Sequence, residues 1–123
     1  MKILIPEKLS RNVLAAVRTF GRAGHSVTLA IPVRPGRKPP KTNNMTRFVQ
    51  QITTITSPHH SPDEFKDDLL ELIKEDVFDV LLPFTHGTVV PLSYYLEVLA
   101  NHVHIPLAPY SKLQRAHDKL ETF

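Results

Sequence analysis

Short apolar runs alternate along this chain with stretches whose apolar positions recur at helical spacing. The apolar, β-branched runs predict five strands, at residues 2–5, 26–31, around 52–55, 77–82 and 103–107. The last run is short and contains Pro106, which favours the edge of a sheet.

The amphipathic stretches between these runs carry clear helix signals. Ser10 can cap a helix whose apolar face ends near Gly21 and Gly24. Ser61 with Pro62 and Glu64 forms a capping box that opens a helix reaching about residue 75. Further helices are expected over roughly residues 88–101 and from residue 111 onward.

This alternation predicts an α/β fold with parallel strands joined by helical crossovers. We expect one three-layer, Rossmann-like domain over residues 1–123: an open, mostly parallel five-stranded sheet with helices on both faces. With the common strand order 3-2-1-4-5, the order reverses between the first and fourth strands. Ligands of such sheets bind at that reversal, beyond the carboxyl ends of the strands.

Two loops should meet at that point, one after the first strand and one after the fourth. Their polar groups and their glycine make them a candidate substrate or phosphate subsite, since two helix N-termini also point there. The candidate substrate-binding residues are Glu7, Ser10, Thr85, His86 and Gly87, with Lys8 and Thr88 beside them. For the first loop, a solvated turn with a helix cap is an equally good interpretation.

Composition excludes several classes of protein. There is no cysteine, which rules out disulfides and thiolate metal sites, and no apolar run long enough to span a bilayer. The N-terminal residues do not form a signal peptide, so a cytoplasmic location without membrane partners is expected. The net charge of +3 is concentrated between Arg34 and Arg47. It suggests an anion contact rather than nucleic-acid binding.

Several binding motifs are missing. The loop after the first strand reads PEKLS and lacks the glycines of a dinucleotide-binding fingerprint, and no phosphate-binding P-loop is present. The pairs His59-His60 and His102/His104 lack a carboxylate or cysteine at matching spacing. We therefore assign no metal ligands and no catalytic residues within the chain.

Three segments nevertheless resemble a known family. They are KILI with LAAVRTFGRAGHSVTLA, then DEFKDDLLELIKEDVFDVLLP, and finally LAPYSKLQRAHDKLETF. In this order they resemble the N-terminal (pre-ATP-grasp) domain of ATP-grasp ligases, the superfamily that includes carbamoyl-phosphate synthase large chain and biotin carboxylase. The resemblance extends over the whole chain.

That resemblance implies a function for the protein to which the domain belongs. Such ligases use ATP and Mg²⁺ to convert a small carboxylate into an acyl-phosphate, which an amine then attacks. By the resemblance, Lys119 of the pair Asp118-Lys119 contacts ATP, and Thr122 follows as in the family. The catalytic ATP-grasp domain would follow residue 123, in the same or a separate chain. The domain alone would be inactive, and it could take part in a homodimer.

Two other hypotheses remain open at this stage. The opening strand and helix are also similar to the first half of a two-domain nucleotide-sugar glycosyltransferase, although the glycines usual after its first strand are absent. A stand-alone binding module without catalysis is the third possibility.

Overall fold

The described part of the protein is a parallel β-sheet with helices packed on both of its faces. The computed structural model describes residues 1–35 and 47–107. Within them the elements are β1 (Lys2–Ile5), α1 (Arg11–Arg22), β2 (Ser26–Val33), β3 (Val49–Thr56), α2 (Pro62–Glu75), β4 (Val80–Leu81), α3 (His86–Tyr94) and α4 (Leu96–Leu99).

The sheet has the strand order β3-β2-β1-β4, and every pairing is parallel. Ile3 of β1 lies between Val27 of β2 and Val80 of β4. The chain therefore moves outward from β1 to β3 and then returns to the other side of β1. The order predicted for the first four strands is confirmed, and the reversal lies between β1 and β4.

The predicted fifth strand is not confirmed. In the described residues, the segment 103–107 contributes a single parallel bridge between His104 and Val80, in which the Leu81 amide donates to the His104 carbonyl at 2.9 Å. Pro106 has no amide proton to extend this pairing, and the partner strand β4 is itself only two residues long. The described sheet therefore has four strands.

Two apolar clusters sandwich this sheet. Val13 and Val17 of α1 pack on one face, against residues such as Ile3 and Ile5. Phe65 of α2 lies in the cluster on the opposite face. Alternate residues of β1 enter opposite clusters, as the period of two in a strand requires. The expected three-layer architecture with helices on both faces is present.

The predicted caps of the first two helices are also present. The Ser10 hydroxyl accepts from the Val13 amide at 3.3 Å, and the Ser61 hydroxyl accepts from the Glu64 amide at 3.2 Å. Beyond the end of α1, Gly24 has a φ of 88°, a left-handed conformation that glycine adopts without strain. These local signals fix how the chain enters and leaves the sheet.

The third helix differs from its prediction. It begins at His86 rather than at residue 88, and a break at Tyr95 separates α3 from α4. Pro91 consequently lies in the second turn of α3, where it cannot donate to the Gly87 carbonyl.

Tyr95 connects the break between α3 and α4 to α2. Its hydroxyl donates to the Asp63 carboxylate, and the Lys66 ammonium lies 5.1 Å from its ring centroid. The hydrogen bond to Asp63, together with desolvation, raises the pKa of Tyr95 to about 12.

Within the described residues, no helix combines the length and apolar character required to cross a bilayer.

Candidate functional site

A cavity of about 780 Å³ opens at the carboxyl-terminal edge of the sheet. Its walls come from the loops that follow β1, β2 and β3 and from the start of α3. The lining residues are Glu7, Lys8, Ser10, Pro32, Val33, Arg34, Ser57, Pro58, His59, Thr85, Gly87 and Thr88. Its volume is in the range typical of small-molecule sites.

Glu7 is a buried charged residue at this edge, with 3% of its surface exposed. Its Oε2 accepts from the Phe84 amide at 2.6 Å and from the Thr85 amide at 2.8 Å. Its Oε1 accepts from the Thr85 hydroxyl at 2.9 Å and from the Thr88 hydroxyl at 3.1 Å. One carboxylate of the first loop thus accepts hydrogen bonds from two amides and two hydroxyls of the segment that runs from the loop after β4 into the first turn of α3.

These hydrogen bonds bridge the reversal of strand order. Glu7 follows β1, and its four donors lie between β4 and the first turn of α3. A carboxylate at a helix N-terminus also interacts favourably with the helix dipole. The place where an external anion would meet α3 is therefore occupied by the protein's own carboxylate.

Thr85, at the start of α3, also uses its side chain to bind Glu7. It is the N-cap residue of α3, but its hydroxyl makes no capping hydrogen bond and donates to Glu7 instead. Ser10, in contrast, caps α1 and also lines the cavity.

The structure thus brings four of the predicted substrate-binding residues to one cavity: Glu7, Ser10, Thr85 and Gly87. His86 is exposed and does not line it. Lys119, the predicted ATP contact, lies outside the described residues, as do Asp118 and Thr122. The assignment of these residues to ligand binding stays a prediction.

His59 reaches the same cavity from the far edge of the sheet. The crossover from β3 to β4 must pass over β2 and β1, and the loop that begins it delivers His59 to the start of α3. A methyl group added at Gly87 would lie 3.1 Å from His59 Nε2. The glycine at this position therefore permits close approach of an imidazole ring.

Sequence reasoning did not place Arg34, Ser57 or His59 at the site. It treated Arg34 as part of a basic loop and His59 as half of a histidine pair. The signal was nevertheless available, because Arg34 and Ser57 directly follow β2 and β3, and all parallel strands end at the same edge. Lys8, noted beside the candidates, also lines the cavity.

The cavity carries an excess of basic groups. Lys8 and Arg34 are exposed. The ion pairs found in residues 1–35 and 47–107 join Lys2 to Asp76 and Lys66 to Asp67, all away from the cavity. Glu7 is the acidic residue in the lining, and its oxygens are engaged by the donors described above. Nowhere in these two ranges do three histidine or acidic side chains cluster as metal ligands would.

Comparison of the chain with protein-family models, with curated proteins and with solved structures gives no match in any of the three.

Proposed function

We propose that this chain is the N-terminal, substrate-side domain of an ATP-grasp carboxylate–amine ligase-like protein, with a Rossmann-like, pre-ATP-grasp fold. The observation that carries the proposal is the cavity at the carboxyl edge of a parallel sheet ordered β3-β2-β1-β4. This is where an open α/β sheet binds its ligand. The three sequence segments that resemble the family add support.

In this role the domain holds the carboxylate substrate while the chemistry takes place at its rim. The substrate oxygen would attack the γ-phosphorus of ATP, giving an acyl-phosphate and ADP. An amine would then displace inorganic phosphate and form the amide. The contribution of the cavity is to orient the carboxylate and limit its freedom before the transfer.

The nucleotide belongs to the segment around Asp118 and Lys119 in this proposal. The described residues do not offer a magnesium site, since the lining carboxylate of Glu7 already accepts four close hydrogen bonds and magnesium requires free oxygen ligands.

The test uses the complete gene product that contains this chain. ATP with Mg²⁺ should raise its melting temperature, because a ligand at 100 times its Kd stabilises the native state by about 2.7 kcal/mol. When small carboxylates and amines from a panel are added together with ATP, the protein should convert ATP to ADP. Lys119→Ala should reduce the ATP-dependent shift without changing the melting temperature measured in the absence of nucleotide.

Two outcomes would contradict the proposal. A complete gene product that neither binds ATP nor releases ADP with any carboxylate would leave a stand-alone binding module as the better account. Saturable binding of a nucleotide sugar, with no response to ATP, would favour the glycosyltransferase hypothesis.

A further inference from the structure

We infer that the cavity selects a ligand by a negatively charged group, a carboxylate or a phosphate. Lys8 and Arg34 bind this group on the side of β1 and β2, and His59 donates a further hydrogen bond to it. The inference rests on the proposed function only in taking this cavity as the substrate site. It adds the residues that recognise the ligand's charge and the part of the cavity where that charge lies.

The lining of the cavity contains more basic than acidic residues. Lys8 and Arg34 are exposed at the rim and pair with no carboxylate in the part of the chain that the structure describes. Two unpaired cations facing one concave surface produce a positive potential, which low-dielectric walls concentrate. A ligand anion would relieve the repulsion between these cations, whereas a cationic ligand would increase it.

The next step is the position of the anion within the cavity. Glu7 already accepts from the Phe84 and Thr85 amides that precede α3. A ligand anion next to this carboxylate would meet like charge rather than free donors. The remaining polar groups lie on the other side, where Ser57 follows β3 and Arg34 follows β2. The ligand's charge should therefore lie on the side of β1 and β2, between Lys8 and Arg34, and away from the reversal of strand order.

A further step concerns His59. Its Nε2 lies close enough to Gly87 that an added methyl group would be only 3.1 Å away. The ring thus lies beside the start of α3, among the residues that line the cavity. An imidazole in this position can donate a hydrogen bond to a ligand oxygen that Arg34 also contacts.

The uncharged lining defines the remainder of the ligand. Pro32 and Pro58 are buried, and Val33 is half-buried beside them. They contribute an apolar surface to the lining of the cavity. A fitting ligand therefore has an anionic end and a short uncharged body, as small carboxylic acids and simple phosphate esters do.

The experiment titrates the ¹⁵N-labelled 123-residue chain with three probes and follows the backbone amides of Val33, Ser57 and Gly87. The probes are inorganic phosphate, succinate and the uncharged succinamide. Phosphate or succinate should shift these three amides with a common Kd, and succinamide should not. Response to phosphate alone identifies a phosphate site, and response to succinate identifies a carboxylate site.

Charge-removing variants test the named residues. Lys8→Gln and Arg34→Gln should each weaken anion binding roughly tenfold, because each removes a charge-assisted hydrogen bond. The matched controls Lys74→Gln and Arg18→Gln remove the same charges from exposed positions on α2 and α1, and they should leave the Kd unchanged. If the control variants weakened anion binding equally, the effect would come from the net charge of the protein, and the inference would be wrong.

Failure of this inference can be distinguished from failure of the proposed function. If neither anion shifts the three amides, or if succinamide binds as well as succinate, the charge selection is wrong, while ADP release by the complete gene product could still occur. If the anions bind as expected but no ATP-dependent reaction is found, the ligase proposal fails and the anion site stands.

Discussion

Two halves of the carboxyl-terminal edge of this sheet use similar polar residues in opposite ways. The closed half lies between β1 and β4 and consists of Glu7, Phe84, Thr85 and Thr88. The open half consists of polar residues in the loops after β1, β2 and β3, namely Lys8, Arg34, Ser57 and His59. In the closed half, one buried carboxylate receives hydrogen bonds from all three other residues. In the open half, the two cations have no carboxylate partner among the described residues.

This difference separates structural polar groups from groups that can bind a ligand. A buried charge is stable only when the surrounding donors replace the water it has lost. The closed half meets that requirement internally, so its hydrogen bonds fix the angle between the loop after β1 and the start of α3. In the open half, Lys8 and Arg34 are exposed and have no carboxylate partner among the described residues, so a ligand can replace water around them at little cost.

Removal of the Glu7 carboxylate should have the largest effect on the closed half. Glu7→Ala leaves two amides and two hydroxyls without their acceptor, and we expect the free energy of unfolding to fall by about 3 kcal/mol. Glu7→Gln should lower the free energy of unfolding by about 2 kcal/mol. The glutamine side chain keeps one acceptor oxygen, but its NH2 group faces the other donors. Urea denaturation followed by circular dichroism measures both.

The matched control for Glu7 is Glu71→Ala, at an exposed position on α2. It should change the free energy of unfolding by less than about 0.5 kcal/mol. If Glu7→Ala proved equally mild, the hydrogen bonds around Glu7 would not hold the loops together, and the division into two halves would be wrong.

Thr88→Val should have the next largest effect. Thr88 is buried with 4% exposure, and its hydroxyl donates to Glu7 Oε1. Valine has nearly the same shape but no hydroxyl, so we expect a loss of about 1 kcal/mol in the same urea experiment. Thr88→Ser keeps the donor and should recover most of the hydrogen-bond contribution, apart from the cost of the lost methyl group. A Thr88→Val protein as stable as the parent would contradict a structural role for this hydroxyl.

Alkaline pH should weaken a second attachment of α3, where Tyr95 holds the end of this helix to α2. The pKa of Tyr95 is raised from 10.0 to about 12, chiefly by the hydrogen bond it donates to Asp63. A raised pKa in the folded state means that the stabilisation is complete below pH 10 and is lost as the pH rises toward 12.

Thermal unfolding of the parent and of Tyr95→Phe between pH 8 and pH 12 checks this expectation. The parent should lose more stability than the variant between pH 10 and pH 12, so the difference between them should narrow. Parallel pH curves would show that the tyrosine hydroxyl makes no contribution to the folded state.

The smallest effect on stability should come from the open half. The double variant Lys8→Gln with Arg34→Gln removes no described hydrogen bond or ion pair. We expect its melting temperature to match that of the parent, with a change below about 0.5 kcal/mol in the free energy of unfolding. A markedly destabilised double variant would mean that these cations support the fold, and the contrast between the two halves would disappear.

The sequence predicted what local chemistry controls. Ser10 and Ser61 identified the starts of α1 and α2, because a cap depends on residues only a few positions apart. The apolar runs identified the four strands of the described sheet for a similar reason. Predictions that depended on distant partners were less accurate. The strand expected at residues 103–107 is a single bridge, and α3 begins at His86, before the expected residue 88.

The candidate site shows the same distinction. Glu7, Ser10, Thr85 and Gly87 were placed at the cavity because a parallel sheet brings its carboxyl ends together. His86 was placed with them by the same argument, but it does not line the cavity. His59 was missed although its loop follows β3, because its approach to Gly87 depends on packing between loops that are distant in sequence.

The sequence by itself determined the alternation of strands and helices, the caps and the edge of the sheet where polar loops collect. These follow from residue spacing and short-range hydrogen bonding. Only the tertiary structure decided which polar groups at that edge have partners. Glu7 and the Thr85 amide are 78 residues apart, and no local pattern encodes a hydrogen bond between them. Burial of that carboxylate against α3 is what leaves Lys8 and Arg34 as the charges available to a ligand.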